Sequence, residues 1–275
     1  MSELNQLFRD RIGYADQNAL TFERLPEALA LMAVAIPFEN LCIMDGSITA
    51  VTEQYLVTKV LLNREGGLCY EINSLLYLFL LDNGLDVVMT RGVVFDAEKN
   101  AYNTHGRTHI SILLRHEGQT YLIDSGFGGN LPLQPVPLTG ETVVSANGEF
   151  RIRRAEHALG DYVFEVKLKH KDEDWRTGYT FDSERAITGL VDSNEIQRIV
   201  VEHPDSRFNK APLITRLTPA GSVTLTSTSL TVWTDGVMSK EEIEGEQYAE
   251  LLNRYFGRGI GPEPINNQPE RSITL

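Results

Sequence analysis

Residues 64–73, Arg-Glu-Gly-Gly-Leu-Cys-Tyr-Glu-Ile-Asn, constrain the fold of this chain more than any other stretch. Two glycines lead into Cys69, and the cysteine opens a run that is rich in apolar residues. Within that run, side chains recur at the spacing of one helix face: Asn73, Leu76, Tyr77 and Leu80. Gly84 follows where a left-handed helix end is expected. The pattern predicts a helix over residues 70–81 with Cys69 at its N-terminus, where free N–H groups and the helix dipole stabilise a thiolate.

His109 and Asp124 are the candidates for the base and the orienting group that a cysteine nucleophile needs. His109 stands at the head of one strand-like run, and Asp124 stands at the end of the next. Residues 116–119 between them have the composition of a hairpin turn. In an antiparallel pair the start of one strand lies opposite the end of the other. The sequence therefore predicts that His109 and Asp124 are cross-strand neighbours within reach of an imidazole–carboxylate bond.

The overall composition is that of a globular protein that is large enough for two or three lobes. The chain has 275 residues, of which 42% are hydrophobic and 23% charged. Two cysteines make no disulfide framework, and no Cys/His cluster has zinc-site spacing. The first residues lack a secretory signal pattern, and the longest apolar run is too short to span a bilayer. These features predict a cytoplasmic protein in which Cys69 is a free thiol.

The formal net charge of −13 argues against nucleic acid or an anionic membrane as the main partner. A polyanionic ligand would need local positive charge or backbone N–H groups to hold it.

Periodicity changes from helical to strand-like along the chain and back to mixed. Helices are predicted over 26–36, 52–63 and 193–201, and strands over 87–89, 92–95, 162–169, 214–217 and 222–226. Residues 239–242 (Ser-Lys-Glu-Glu) are interpreted as a capping box for a helix that ends at Phe256 before Gly257. Residues 259–275 are predicted to form a strap over the surface or to be partly disordered.

Four motifs, in this order, resemble the arylamine N-acetyltransferase family nearly end to end. They are Ile-Pro-Phe-Glu-Asn at 36–40, Gly-Gly-Leu-Cys-Tyr-Glu-Ile-Asn at 66–73, His109 followed by Leu113-Leu114, and Asp-Ser-Gly-Phe-Gly at 124–128. The resemblance implies an α+β, papain-like (cysteine-proteinase-like) fold of three lobes. These are an N-terminal helical bundle over 1–85, a β-barrel over 86–190 and a C-terminal α/β lid over 191–275. It also implies a catalytic triad of Cys69, His109 and Asp124.

The same resemblance implies the ligand contacts. Acetyl-CoA is the expected co-substrate, with no permanently bound cofactor and no metal. The acceptor pocket is assigned to Phe38, Phe95 and Phe127, with Gly129 and Leu131 on the loop that selects acceptor size; the coenzyme contacts are assigned to Gly106, Gly126 and Phe208. One position departs from the family pattern, because Glu65 occupies the place of an arginine before the glycines. Arg64 and Arg107 are the candidates to pair with Glu39.

The predicted function is ping-pong acetylation of arylamines or arylhydrazines through a cysteine thioester, with O-acetylation of N-hydroxyarylamines as a further reaction. Taken alone, Cys69 would more often be an inert buried thiol, and His109 a satisfied core histidine. Their combination with Asp124 favours catalysis, whereas Cys42 is interpreted as a core residue. Two alternatives stay open: a cysteine peptidase or transglutaminase-like amide-transfer enzyme, and a non-catalytic acyl-CoA or aromatic-ligand binder.

Exchanging each cysteine for serine tests which of them is the nucleophile. Cys69→Ser should fold normally and lose acetyl transfer by several orders of magnitude, as removal of a triad nucleophile usually does. Cys42→Ser should retain most of the turnover. Steady-state assays of both variants check this, and an equal loss in both would show that the wrong cysteine was chosen.

Overall fold

The computed structural model describes residues 1–257, without the side chains of residues 156 and 157. Its helices cluster at the N-terminus and return near the end of the chain. They are α1 (Glu3–Ile12), α2 (Leu25–Ala35), α3 (Leu41–Met44), α4 (Glu53–Leu56), α5 (Cys69–Asp82), α6 (Val191–Glu202) and α7 (Gly245–Phe256). Between residues 1 and 257, none of the helices has the length and apolarity that a membrane crossing requires.

Helix α5 is the centre of the helical part and confirms the helix predicted after the double glycine. It begins at Cys69, and Gly84 follows its end with φ +78°, the left-handed conformation expected there. Tyr70, Leu75 and Phe79 are fully buried in the core that α5 shares with α1, α2 and α6. The helix predicted over 52–63 is also present, but it continues from α4 as a π-helix over Val57–Leu62.

The middle of the chain forms one antiparallel sheet that curls around its own apolar core. Its strands are β2 (Asp86–Asp96), β3 (Ala101–Tyr102), β4 (His109–His116), β5 (Gln119–Ile123), β6 (Val136–Pro137), β7 (Val143–Ser145), β8 (Gly148–His157), β9 (Gly160–Leu168) and β10 (Arg176–Phe181). The order is β6-β5-β4-β2-β10-β9-β8-β7, with β3 on β2. Phe150, Phe164, Tyr179 and Phe181 fill the interior.

Strand β2 is continuous, whereas the sequence predicted separate strands over 87–89 and 92–95. The prediction was wrong because it left out Thr90 and Arg91, which pair with Ser111 and Ile110 of β4. A Cβ at Gly92 would lie 2.8 Å from the carbonyl oxygen of Thr180 on β10. The glycine therefore allows close approach of the neighbouring strand and does not interrupt β2.

The predicted hairpin is confirmed as β4 and β5. Glu117 and Gly118 form its two-residue turn with φ of +48° and +77°, as a type I′ turn requires. Ile112 lies opposite Ile123. Continuing that register places Asp124 diagonal to His109, so both side chains lie on one face of the hairpin.

A second sheet contains strands from both ends of the chain. Its order is β1 (Phe38–Glu39), β11 (Leu213–Thr218), β12 (Gly221–Thr226), β13 (Ser229–Thr234) and β14 (Val237–Glu242). The strand from residues 38–39 thus joins the sheet of the C-terminal part, and α6 packs on the core that contains α5. The lobe limits after residues 85 and 190 stay predictions.

The capping box predicted at residues 239–242 is wrong, because these residues belong to strand β14. Asp235 and Gly236, with φ of +48° and +83°, form a hairpin turn that pairs β14 with β13. Helix α7 begins at Gly245, where the Gln247 side chain accepts from the N–H of Glu244, and it ends before Gly257 as predicted. The predicted strap over residues 259–275 lies outside the described residues.

Asn40 joins the N-terminal part to the second sheet through hydrogen bonds of its buried side chain. Its amide nitrogen donates to the carbonyl oxygens of Phe208 (2.8 Å) and Ala211 (2.9 Å), and its oxygen accepts from the N–H of Leu213 (2.7 Å). The side chain satisfies backbone groups that would otherwise lack partners.

Removing the Asn40 side chain should therefore destabilise the protein. Asn40→Ala leaves two carbonyl groups and one N–H without this partner, and we expect the free energy of unfolding to fall by about 2–5 kcal/mol. Asn63 is exposed, so Asn63→Ala should change it by less than about 0.5 kcal/mol. Urea unfolding of both variants measures the difference; equal, small effects would contradict the joining function of Asn40.

Candidate active site

A cavity of about 340 Å³ lies between the start of α5, the end of β2 and the segment Arg207–Asn209. Cys69 and His109 are among its lining residues. Most of the remaining lining surface is apolar or aromatic, and polar or charged residues such as Asp96, Lys99 and Arg207 also line it. The aromatic residues in that wall are Phe38, Tyr70, Phe95, Phe127 and Phe208. A hollow of this size, with aromatic walls and a few convergent polar groups, is typical of a small-molecule site.

Cys69 is the first residue of α5 and is 8% exposed. Its sulfur lies 3.5 Å from the carbonyl oxygen of Thr108, the residue that precedes His109. Gly126 packs directly against it, because a Cβ at that position would lie 2.8 Å from the Cys69 Cα. The absence of a side chain at residue 126 therefore lets the loop after β5 approach the cysteine.

Asp124 holds the His109 imidazole in place. Its Oδ2 lies 2.7 Å from His109 Nε2 and accepts from the Tyr179 hydroxyl at 2.7 Å. Its Oδ1 accepts from the Asn73 amide and from the Gly126 N–H, both at 2.8 Å. Both oxygens of this buried carboxylate are thus satisfied by donors from separate elements, which gives the imidazole a single orientation.

The charges of the buried site support each other. Burial alone lowers the pKa of His109, but the Asp124 carboxylate and the Cys69 sulfur outweigh burial and raise that pKa to about 10. Burial raises the pKa of Asp124, whereas His109 and the hydrogen bonds from Asn73 and Gly126 lower it below its usual value. An imidazolium between a carboxylate and a cysteine sulfur is the arrangement that activates a cysteine nucleophile.

The structure brings together most of the residues that the sequence assigned to the site. Phe38, Phe95, Phe127, Gly126 and Phe208 line the cavity with Cys69 and His109. Within residues 1–257, that lining leaves out Gly106, Gly129 and Leu131. Gly129 accepts a hydrogen bond from Asn147, and Leu131 is buried in a cluster with Ala33 and Leu217.

The sequence analysis missed two side chains that contact Asp124. Asn73 carried a findable signal, because it lies four residues after Cys69 and therefore on the same helix face. Its oxygen also accepts from the Ser125 N–H at 2.9 Å. Tyr179 carried no such signal, since only the pairing of β10 with β2 brings it beside the hairpin. Its ring centroid lies 4.4 Å from that of His109.

Glu39 also has a partner that the sequence analysis did not consider. Its Oε1 lies 4.0 Å from Lys59 Nζ, and the same ammonium lies 2.6 Å from Glu71. Of the two candidates from the sequence, Arg107 lies 3.9 Å from Asp182, and the Arg64 side chain is exposed.

Comparison with known proteins identifies the family to which the chain is similar. The N-acetyltransferase family model matches residues 21–262. The uncharacterized acetyltransferase YvcN of Bacillus subtilis (strain 168) is 35% identical over 93% of this chain and 100% of its own length. The probable arylamine N-acetyltransferase 3 of Dictyostelium discoideum is 31% identical over 84% of this chain and 83% of its own length.

Solved structures agree. The (BACCR)NAT3 arylamine N-acetyltransferase from Bacillus cereus, which has a Cys-His-Glu catalytic triad, matches with a TM-score of 0.89 and 38% identity over 94% of this chain and 100% of that one. The Mycobacterium marinum enzyme in complex with CoA matches with a TM-score of 0.79 and 25% identity over 92% of each chain.

The fold and the cysteine–histidine–carboxylate geometry are thus those of an acyltransferase of papain-like, three-lobe architecture. The chain belongs to the arylamine N-acetyltransferase family. The family, the α+β fold class and the enzyme class predicted from the sequence are confirmed.

Asp124→Asn tests whether the carboxylate orients and charges His109. The substitution keeps the shape but removes the charge that supports the imidazolium, so Cys69 should alkylate much more slowly at neutral pH. The alkylation profile should move toward that of a free thiol, with a midpoint of about 8.5. Tyr179→Phe keeps the carboxylate and should have a smaller effect. Iodoacetamide labelling across pH measures both; an unchanged profile in Asp124→Asn would contradict the triad.

Proposed function

We propose that this chain transfers the acetyl group of acetyl-CoA to an arylamine or arylhydrazine through an acetyl thioester on Cys69. The observation that carries the proposal is the placement of Cys69 and the Asp124-bound His109 in an aromatic-walled cavity. Membership of the family supports acetyl-CoA as the donor, and the complex of the Mycobacterium marinum relative contains CoA.

In the first half-reaction, the Cys69 thiolate attacks the thioester carbonyl of acetyl-CoA. The oxyanion that forms is stabilised by the backbone N–H of Cys69, at the N-terminus of α5, and by one further nearby donor. As the intermediate collapses, the carbon–sulfur bond to CoA breaks, and the imidazolium of His109 gives its proton to the departing CoA thiolate. The products are acetyl-Cys69, neutral His109 and CoA.

The second half-reaction uses the change in charge that acetylation causes. The thioester removes the negative charge on the Cys69 sulfur, which was one of the groups that raised the pKa of His109. Neutral His109 can therefore accept the proton of the arylamine as its nitrogen attacks the acetyl carbonyl. The amide leaves, and the thiolate–imidazolium pair forms again. An aniline nitrogen suits this step because it is uncharged and nucleophilic at cellular pH, whereas an aliphatic amine is mostly protonated.

The aromatic wall supports a planar acceptor. Phe127 lies edge-on to His109, with ring centroids 5.1 Å apart, and Phe38 lies edge-on to Phe208 at 5.6 Å. An acceptor ring that enters beside Cys69 can make offset or edge contacts of the same kind. We assign Phe38, Phe95 and Phe127 to the acceptor, and Gly126 and Phe208 to the neighbourhood of the coenzyme.

We further propose that the protein works in the cytoplasm, where the thiols of Cys42 and Cys69 stay reduced. The net charge of −13 supports small molecules, not nucleic acid or an anionic membrane, as its partners.

Intact-protein mass spectrometry after mixing with acetyl-CoA alone tests the proposed function. The expected result is a gain of one acetyl group that is absent in Cys69→Ser and disappears when an arylamine is added. A cysteine peptidase or transglutaminase-like enzyme would instead cleave or modify a peptide amide. A non-catalytic binder would bind acetyl-CoA without a gain in mass, and its Cys69 would not react rapidly with iodoacetamide at mildly acidic pH.

Phe127→Ala separates acceptor recognition from donor chemistry. Loss of the aromatic contact should weaken arylamine use by roughly two- to tenfold, with a modest effect on acetylation of Cys69 by acetyl-CoA alone. Stopped-flow acetylation without acceptor is compared with steady-state turnover. If both slow equally, Phe127 serves the donor or the triad geometry.

Gly129→Phe extends the same test to the loop after Asp124. A Cβ at Gly129 meets nothing within 4 Å, so a side chain can be accommodated there. The prediction is selective loss of bulky arylamines while Cys69 is still acetylated. Equal use of small and bulky acceptors would remove Gly129 from acceptor selection.

A further inference from the structure

Lys59 is a buried cation next to the backbone segment that leads into Cys69. It lies in the π-helix Val57–Leu62 and is 4% exposed. Its ammonium lies 2.6 Å from Glu71 Oε1, 4.0 Å from Glu39 Oε1 and 3.3 Å from the Cys42 sulfur. Burial of an amine is costly unless charged partners compensate for it, and both carboxylates here are also fully buried.

Both carboxylates hold the backbone that leads into Cys69. Glu71 Oε2 accepts from the N–H of Leu68 at 2.9 Å, and Glu39 Oε1 accepts from the N–H of Gly66 at 3.2 Å. Leu68 directly precedes the cysteine. The position of the Cys69 sulfur therefore depends on two carboxylate acceptors, and hydrogen bonds to a carboxylate are stronger than those to a neutral acceptor.

The charges around Lys59 keep its ammonium group protonated. Burial lowers the pKa of Lys59, but Glu71 and Glu39 outweigh burial and hold that pKa above its usual value. Burial and Glu71 raise the pKa of Cys42 to about 11, so the thiol beside the ammonium is neutral. The Tyr55 hydroxyl donates to Glu71 Oε1 at 2.8 Å, and burial raises the pKa of Tyr55, so it too stays neutral.

The backbone around Lys59 also departs from regular helix geometry. The N–H of Asn63 bonds to the carbonyl oxygen of Thr58 at 2.9 Å, the i→i+5 pattern of a π-turn. The N–H of Glu65 bonds to the carbonyl oxygen of Lys59 itself at 3.0 Å. The π-turn is a rare conformation that frequently occurs at functional sites. We call residues 65–68, which lead into Cys69, the glycine segment. Lys59 is joined to this segment by its backbone carbonyl oxygen and, through the two acids, by its side chain.

We infer that Lys59 is a positioning residue for acetyl transfer. It balances the buried charges of Glu71 and Glu39, which hold the glycine segment with the Cys69 sulfur facing His109. The inference rests on the proposed function only for its activity measurement. Among the described residues, those that line the cavity do not include Lys59, and the lysine acts on Cys69 through the two acids.

Lys59→Met tests this assignment, since methionine fills the space without the charge. The two carboxylates then lose the cation that both of them contact, and the uncompensated buried charges disturb the backbone that they hold at Gly66 and Leu68. We expect single-turnover acetylation of Cys69 to slow roughly 10- to 100-fold, the effect of a small displacement of a reacting group. The pH profile of Cys69 alkylation by iodoacetamide should change as well.

Arg9→Met is the matched control for loss of a buried cation. Arg9 is fully buried and bonds Asn5 at 2.6 Å and Asn83 at 2.9 Å, away from the glycine segment. The Arg9→Met substitution should lower the Tm but leave the pH profile of Cys69 alkylation unchanged. If Lys59→Met likewise lowers only the Tm and keeps the wild-type profile and acetylation rate, Lys59 is merely structural and the inference is overturned.

The double variant Lys59→Met/Glu71→Gln isolates the charge. It removes one positive and one negative charge, so the net charge of the cluster equals that of the wild type. Charge neutralisation predicts that it folds, with a higher Tm than Lys59→Met and partial recovery of the acetylation rate. If Lys59→Met does not fold, the double variant decides: a folded protein supports the inference, and failure to fold overturns it.

The alkylation readout also separates this inference from the proposed function. If acetyl-CoA transfers no acetyl group to the wild-type protein, the proposed function fails. The comparison of Lys59→Met with Arg9→Met by iodoacetamide labelling still reports on the positioning of Cys69.

Discussion

The carboxylate of Asp124 is the contact on which the site depends. Its two oxygens form hydrogen bonds with the His109 imidazole on β4, the Tyr179 hydroxyl on β10, the Asn73 amide on α5 and the N–H of Gly126. These donors belong to the helical part, to the curled sheet and to the loop after β5. A buried carboxylate without such donors would be too costly to ionise. The hydrogen bonds that keep Asp124 charged are therefore the same ones that join α5 to the sheet and orient the histidine.

A second buried charge cluster performs the corresponding task for the backbone segment that precedes the cysteine. Lys59 lies between Glu39 and Glu71, and these acids hold the glycine segment that leads into α5. Glycines are required there for space: a Cβ at Gly66 would lie 2.0 Å from the Pro37 carbonyl oxygen, and one at Gly67 would lie 2.8 Å from the Glu71 side chain. The lysine cluster thus fixes the backbone that precedes Cys69, and Asp124 fixes the histidine that the cysteine faces.

Much of this site could be predicted from local sequence. Cys69 at a helix start follows from the double glycine and the helical spacing, and the hairpin of His109 and Asp124 follows from two strand patterns around a Glu-Gly turn. The errors also have local causes. Thr90 and Arg91 separate the two apolar runs of β2, although both residues pair with β4. Residues 239–242 satisfy a capping pattern, but the Asp235-Gly236 turn before them pairs them with β13.

The sequence by itself determined that Cys69 begins a helix and that His109 and Asp124 share one hairpin, because each placement depends on short-range spacing within one helix or one hairpin. Only the tertiary structure decided which side chains complete the site. Tyr179 contacts Asp124 because β10 pairs with β2. Lys59 contacts Glu39 because two segments pack together, and no local sequence pattern predicts that packing. The physical reason is that buried charges take their partners from whichever elements the packing brings near. Such partners are defined by distance in space, whereas a sequence pattern records distance along the chain.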